Sequence, residues 1–598
     1  MSQQYPTYTV SPDLPAWVRK GHTQYQNYHA GPSEVAKLVL TQFSLVGHTI
    51  EDLLSTGGAF AGDITPSTVW DRTNKYSDEF LDEMKAHGKT LIQVNWSCGF
   101  SVDAEEVQRD ILTEFARKAH DRDMRICAYL SITNIFWKEA FEKEPFLKEW
   151  LAVYSDGSPH LYGNSKGRYL ACVNRQEWIN YLKAKVRMAI EGGLDHIYFD
   201  NVFADCACSL CHEGFADFTD GLVGTRHDLP VIAPRETRGI YSEPDDEAER
   251  AISEAEAYSR EYLHKQYMAH RLTEALKDIR DYAFTLKSPL PFSANNHLYP
   301  FINDICNVLY SQDTRLPGPD WNNVDLLRYL AADSDGWKTV VTNHPVDDAD
   351  PRFSMAEAMA FQSYPYGITH MPYNLFYRDH PELFTDVEPV AKLGVVMEWP
   401  RRRPNYLDPL AYGNLMYEAI VLQKWTKEQL SKYSAILLPD LEAVSDELVA
   451  ALKEFAANGG DVIATGTSTL YDGFARPRER PLDRIETDVT PESRLGDEAV
   501  QRLRRATDPQ PIEVEGPRWV IANLVGKSDG STHLVHVINY AAAPAGPVTV
   551  RVNVPDRTFE QATLFSPDPD AEQQDIELTD GVSFSLSEVD VYSIVKLS

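Results

Sequence analysis

A (β/α)8 barrel followed by an open α/β domain and a C-terminal β-sandwich is the architecture this sequence predicts. Three observations lead to it. Over residues 1–388, eight short apolar runs alternate with amphipathic helical stretches, and parallel strands need such helical crossovers. Residues 389–507 repeat the alternation on a smaller scale. Residues 508–598 hold only short alternating strands separated by turn residues, the pattern of a sandwich.

In the first block the candidate strands begin at 36-AKLVLTQF, 90-TLIQVNW, 124-MRICAYLSI, 195-DHIYFD, 290-LPFSANN, 305-ICNVLYSQD, 337-WKTVVTN and 367-GITHMPY. Helical patterns lie between them at 104–120 and 176–191, and most clearly at 247–285, where apolar residues recur at three- and four-residue steps. The acidic run 243-EPDDEAER reads as the solvated start of that helix. In the second block a strand at 392-KLGVVME precedes a helix near 410–424 and the strand 434-SAILLPD. Ser445 then caps an amphipathic helix that Gly459-Gly460 stops before the strand 461-DVIATG. The Arg- and Pro-rich 475-ARPRERPLDR reads as a wrapping loop. The third block places strands at 517-PRWVIANLVG, 532-THLVHVINY, 547-PVTVRVNV and 590-DVYSIVKL.

Composition narrows the function classes. The chain of 598 residues carries 57 Lys and Arg against 89 Asp and Glu, a formal charge of −32. Such an excess disfavours nucleic acid and anionic membrane as partners and reads as a solubility or high-salt trait. There is no apolar run of about 18 residues that would span a bilayer. The N-terminal MSQQYPTYTVSPDLPAW lacks a basic segment leading into an apolar core, so a cytoplasmic location is expected. Seven Cys are too few and odd in number for a disulfide framework.

Reactive groups in such a barrel stand at the C-terminal ends of its strands. Those ends read Asn95-Trp96, Tyr129, Asp200-Asn201, Asn295-Asn296-His297, Gln312-Asp313, Asn343-His344, and His370 with Tyr373. Rings that stack on sugar C–H faces, and amides and imidazoles that bind hydroxyls, make a carbohydrate the expected substrate. Two strand ends carry a carboxylate directly, Asp200 and Asp313, and glycoside hydrolysis needs a carboxylate pair. An Asp there can also cap a helix or pair with Arg315; Asp347, Asp348 and Glu139 are the substitutes. After strand four, 200-DNVFADCACSLCHEGF brings Cys206, Cys208 and Cys211 into one loop. C-x-C-x-x-C supplies three thiolates for tetrahedral zinc and leaves Cys172, His212 or Cys127 as the fourth ligand. A site closed by four thiolates would be structural.

The order of these features resembles the glycoside hydrolase family 42 β-galactosidases along almost the whole chain. The passages carrying the resemblance are 148-KEWLAVYSDGSPHLYGNSKGRYLACVNRQEWINYL, the C-x-C-x-x-C, 360-AFQSYPYGITHMPYNLFYR and 437-LLPDLEAVSDELVAALKEFAANGGDVIATG. The resemblance implies a trimer assembled through the α/β domain and a zinc cluster completed by Cys172. The sequence departs from the family where the catalytic Glu residues should stand. The Asn-Glu pair of strand four reads Asn201-Val202, and strand seven ends VTNHPVDD without a Glu. Asp200 on strand four and Asp313 on strand six instead match by position the α-galactosidases of families 27 and 36. The expectation is a retaining exo-α-glycosidase acting on short oligosaccharides, with Asp200 as nucleophile and Asp313 as acid/base. A β-galactosidase-like enzyme with relocated carboxylates and a non-catalytic sugar-binding protein are the alternatives.

Overall fold

The computed structural model describes residues 25–26, 76–97, 99–162, 168–232, 255–295, 301–311, 317–318, 321–336, 338–343, 350–366, 370–398, 405–485, 493–568 and 573–598. The chain divides into two compact units, one essentially Thr23–Tyr310 and the other essentially Ser311–Ser598.

The first unit is built on parallel strands. β1 (Tyr25–Gln26), β2 (Leu91–Ser97), β3 (Arg125–Ser131), β4 (His196–Asp200) and β5 (Phe292–Ala294) lie side by side in that order. Asn295 then bridges in parallel to Tyr310 of β6 (Val308–Ser311). The apolar runs read from the sequence lie in β2 to β6. The expected first strand at 36–43 falls outside the described residues, and it is Tyr25–Gln26 that pairs with Leu91–Ile92. Helices separate the strands: α1 (Asp78–Ala86), α2 (Val102–His120), α3 (Gln176–Glu191), α4 (Ser209–Val223) and α5 (Ala255–Leu286). Ser77 caps α1 by accepting the Phe80 N–H at 3.1 Å, and Asp78 and Glu79 in its first turn suit the positive end of the helix dipole. Two buried charges tie α2 and α3 to the end of β2. Lys185 and Glu105 pair at 3.0 Å, and Lys185 also donates to Ser97 Oγ and the Phe100 carbonyl.

The second unit opens with β7 (Thr339–Asn343) and β8 (Tyr364–Tyr366), parallel to each other, with helices α6 (Val324–Asp333), α7 (Pro351–Ala360) and α8 (Met371–Asp379). The described strands of this kind number eight, as the sequence predicts. Strand eight is displaced from its expected place at 367–373: it ends at Tyr366, and 371–379 is helix with Pro372 in the first turn, where a missing N–H costs nothing. An open parallel sheet follows, with Tyr417–Val421, Leu393–Met397, Ala435–Pro439 and Asp461–Thr465 in that spatial order. The helix expected near 410–424 is instead a short helix, Asp408–Tyr412, and the strand Tyr417–Val421. Gly413 and Asn414, the latter at φ +50°, stop the helix, and the β-prone run YEAIV takes over. Ser445 caps the helix Asp446–Ala457 as expected, accepting from Leu448 N.

The C-terminal strands form two antiparallel sheets. Val520–Lys527, His533–Asn539, Tyr592–Leu597 and Ala562–Phe565 are neighbours in one, and Val387–Pro389 lies along its edge. Ile512–Glu515, Val548–Val552 and Ser583–Leu586 form the other. Val520, Leu524, Val535 and Val537 pack against Val548, Val550 and Phe584 between them. Burial of such side chains contributes roughly 1.5–3 kcal/mol each.

Candidate active site

Alternation along β4 decides what reaches the inner face of its sheet. In HIYFD, residues 196, 198 and 200 share one face. Register then aligns Asn95, Tyr129 and Tyr198 across β2, β3 and β4, with Ser131 opposite Asp200 one step higher. The rings of Tyr129 and Tyr198 lie 5.8 Å apart, and Tyr310 meets Tyr198 edge-on at 4.6 Å. Lower on that face His196 binds Ser293 Oγ at 2.7 Å. Burial holds the His196 imidazole neutral, with its pKa lowered to about 3.

Asp200 ends β4 and is only partly buried. Its Oδ2 accepts from the Tyr129 hydroxyl at 2.6 Å and its Oδ1 from Asn295 Nδ2 at 2.8 Å. Both donors are neutral, and among the described residues Asp200 forms no ion pair. The next residue, Asn201, has φ +58°, a left-handed conformation that Asn tolerates better than most side chains. Its amide turns back to donate to Tyr129 Oη at 3.3 Å and Ser131 Oγ at 2.9 Å. Thr133 Oγ1 fixes the Asn201 carbonyl at 2.9 Å. The result is a charged acceptor at the end of a parallel strand, gripped by groups from the strands on either side.

Several expected sugar-binding residues prove to serve the scaffold. Trp96 points away from Asn95, to the helix side, where its indole N–H donates to the Lys185 carbonyl at 3.2 Å. A Cβ at Gly192 of the adjoining turn would meet that ring at 2.9 Å. Asn201 is buried and spends its amide on Tyr129 and Ser131. Tyr373 is wholly buried and donates to Asp568 Oδ1 at 2.7 Å, so it has no face for a sugar. His370 immediately precedes α8 and stacks edge-on against Tyr373 at 5.1 Å. Asn343 closes β7. Asn296, His297, Gln312, Asp313 and His344 lie outside the described residues, as do Arg315, Asp347 and Asp348. The alternation rule alone would have separated Trp96 from Asn95 and added Tyr198 and Ser131. The sandwich-facing fate of Tyr373 had no local signal.

Directly after β4 the four sulfurs of Cys172, Cys206, Cys208 and Cys211 lie within 4.8 Å of one another. Cys172 is 3.8 Å from Cys208 and 3.6 Å from Cys211, and Cys208 is 3.6 Å from Cys211. Four sulfurs at about 2.3 Å around a tetrahedral zinc would be spaced by about 3.8 Å. The donor set therefore fits zinc closely. Asn174 Nδ2 approaches Cys211 Sγ at 3.1 Å and is held in turn by Arg271 and Tyr267. Hydrogen bonds from Cys172, Cys206 and Cys211 hold the Cys208 thiol well below its ordinary pKa. The two other candidate ligands stand apart: His212 is exposed on α4, and Cys127 is buried in β3 opposite His196.

Residues 422–476 match the family model of the β-galactosidase trimerisation domain. No curated protein matches the chain by sequence. Among solved structures it is similar to a GH42 β-galactosidase from G. stearothermophilus, with TM-score 0.62, 14% identity, and 99% of this chain covering 100% of that one. The β-galactosidase from Rahnella sp. R3 gives TM-score 0.62 at 12% identity, over 89% of this chain and 97% of that one. Alpha-L-fucosidase isoenzyme 2 from Paenibacillus thiaminolyticus gives 0.60 at 14%, over 87% and 96%. At such identities the likeness is one of fold. The chain has a GH42-like fold, in which a (β/α)8 barrel leads into a trimerisation-type α/β domain and a β-sandwich.

Proposed function

We propose that this protein is a retaining glycoside hydrolase that releases terminal α-linked sugars from short oligosaccharides, with Asp200 as its nucleophile. The observation that carries the reading is Asp200 itself: a partly exposed carboxylate at a strand end, hydrogen-bonded by neutral donors on both oxygens. A carboxylate paired with Arg or Lys would be a structural ion; among the described residues this one meets neutral donors. Asp313, two residues beyond the end of β6 in sequence, is the proposed acid/base.

In the first step an Asp200 oxygen attacks the anomeric carbon. The bond from that carbon to the leaving oxygen breaks, and the leaving oxygen takes the Asp313 proton. In the second step Asp313 takes a proton from water, whose oxygen attacks the anomeric carbon and breaks the ester to Asp200. Asn95 and Tyr198 lie on the same strand face as Asp200, buried one step below it, and form the floor under the carboxylate. The neighbours named above include an α-L-fucosidase and β-galactosidases alike, so the choice of α over β rests on the strand-four and strand-six positions of Asp200 and Asp313 in the sequence.

Cys172, Cys206, Cys208 and Cys211 would hold one zinc ion, closing the loop after β4 without an open position for water. Thiolates that bind metal fit a reducing compartment, and the cytoplasm is the proposed location. No helix among the described residues is long and apolar enough to cross a membrane. The matched trimerisation-domain model supports a homotrimer.

The test is a panel of nitrophenyl α- and β-glycosides with the wild type, Asp200→Asn and Asp313→Asn. Cleavage of an α-glycoside that both substitutions abolish supports the reading. Cleavage of a β-galactoside that survives Asp200→Asn overturns it in favour of a β-glycosidase with other carboxylates.

A further inference from the structure

We infer that Tyr129 is a positioning residue for Asp200, not a sugar contact, and that its hydroxyl serves the second chemical step more than the first. This rests on the proposed role of Asp200 as nucleophile.

The direction of the hydrogen bonds fixes the role. Asn201 Nδ2 can only donate, and it sits against Tyr129 Oη and Ser131 Oγ. Ser131 Oγ also accepts the Asn134 N–H at 3.2 Å. Tyr129 Oη therefore accepts from Asn201 and is left to donate its own proton to Asp200 Oδ2 at 2.6 Å. The ring cannot swing away: Tyr129 is 7% exposed and packs on Tyr198. Asn295 Nδ2 covers the other oxygen from the opposite strand. A proton on either Asp200 oxygen would face a donor, so the clamp suits a group that stays ionised. An acid/base must carry a proton for half of the cycle, and this environment does not suit one.

The same clamp acts unequally on the two steps. In the first, Asp200 gives up negative charge to the anomeric carbon, and donors on its oxygens restrain that attack. In the second, the ester bond breaks and the charge returns to the carboxylate, where a preplaced hydroxyl stabilises it as it develops. Removing the Tyr129 hydroxyl should hold back release of Asp200 while sparing its attack.

The experiment compares wild type and Tyr129→Phe on a dinitrophenyl α-glycoside whose sugar is the one the wild type cleaves. Its leaving group needs little acid assistance. The expected result is a fall in kcat of about 100-fold, the size seen when one charge-stabilising donor is removed. KM should fall in parallel, so that kcat/KM changes less than tenfold. The glycosyl-Asp200 peptide should accumulate in the quenched variant, read by mass spectrometry. A purely structural Tyr129 would lower kcat/KM together with kcat and trap no ester, and that result overturns the inference. Asn295→Ser, which loses the other donor, is the second variant and should trap the ester in the same way if Tyr129→Phe folds poorly. Wild-type cleavage lost in Asp200→Asn but unchanged in Tyr129→Phe overturns this inference alone. A wild type that cleaves no glycoside overturns it together with the proposed function.

Discussion

Glu357 should make the second unit less stable at neutral and alkaline pH than at pH 5. It lies on α7, wholly buried, and burial raises its pKa from the ordinary 4.5 to about 7. Donors from Asn323 N at 2.7 Å, Asn323 Nδ2 at 2.6 Å and Tyr540 Oη at 2.8 Å oppose that rise without cancelling it. The folded protein therefore keeps a proton that the unfolded chain has already lost. The stabilisation is fully present below pH 4.5 and is lost as pH climbs through 7. A shift from 4.5 to about 7, at ~1.4 kcal/mol per tenfold change in proton affinity, makes the loss about 3 kcal/mol. Glu357→Gln mimics the protonated form and fills the same space. It should come within about 1 kcal/mol of the wild type at pH 5 and exceed it by about 3 kcal/mol at pH 8. Urea midpoints from pH 5 to 8.5 for both proteins measure this. Parallel curves for wild type and variant would refute the reasoning, because they would mean that Glu357 is ionised at every pH tested.

Other outcomes follow from the same kind of argument. Purified protein should hold one zinc per chain by elemental analysis, and Cys172→Ser or Cys211→Ser should lose it together with several degrees of Tm. Gly214→Ala would drive a Cβ into the Tyr267 hydroxyl, and Tyr267 accepts from the same Asn174 amide that approaches Cys211. Zinc release to a chromogenic chelator should therefore be faster in that variant while the other sulfur ligands are intact. Lys185→Met strands Glu105 as an unpaired buried charge and should cost about 3–5 kcal/mol by denaturant titration. The double variant Lys185→Met/Glu105→Leu should recover much of it. Arg328 lies buried over the Tyr417 ring at 4.5 Å and bonds Asn523 Oδ1 at 3.2 Å, so Arg328→Ala should lower the unfolding midpoint of the second unit by more than a surface Arg→Ala does.

Most of the barrel was legible because its strands are continuous apolar runs bounded by turns, and β2 to β7 overlap the runs that the sequence offers. Local chemistry misleads where it is ambiguous. The segment 410–424 has enough apolar residues to read as a helix, yet Gly413 and Asn414 interrupt it and the β-prone half turns to strand. ITHMPY reads as a strand, but Pro372 is at home in a first helical turn. At the candidate site, Asp200 and the Cys cluster were legible because each is a chemical anomaly at a strand end. Trp96 follows Asn95 directly in the strand and so turns to the helix side, a separation that alternation makes legible and the shared strand end conceals. Tyr373 could not have been placed, since its partner Asp568 is 195 residues away and only tertiary packing brings them together.

The edge strand Val387–Pro389 makes the sandwich discontinuous in sequence. The chain joins the C-terminal sandwich there, leaves it at once, and returns at Ile512–Glu515. Where it leaves and where it returns, Lys392 Nζ donates to the Pro509 carbonyl at 2.7 Å. The trimerisation-type domain is thus an insertion between the edge strand and the rest of the sandwich, and it is tied to the sandwich beyond that point: Asn414 donates to the Val520 carbonyl and accepts from Ala522 N. Cutting the insertion out would therefore take Met416 from the sandwich core as well, so the two parts depend on each other for their packing.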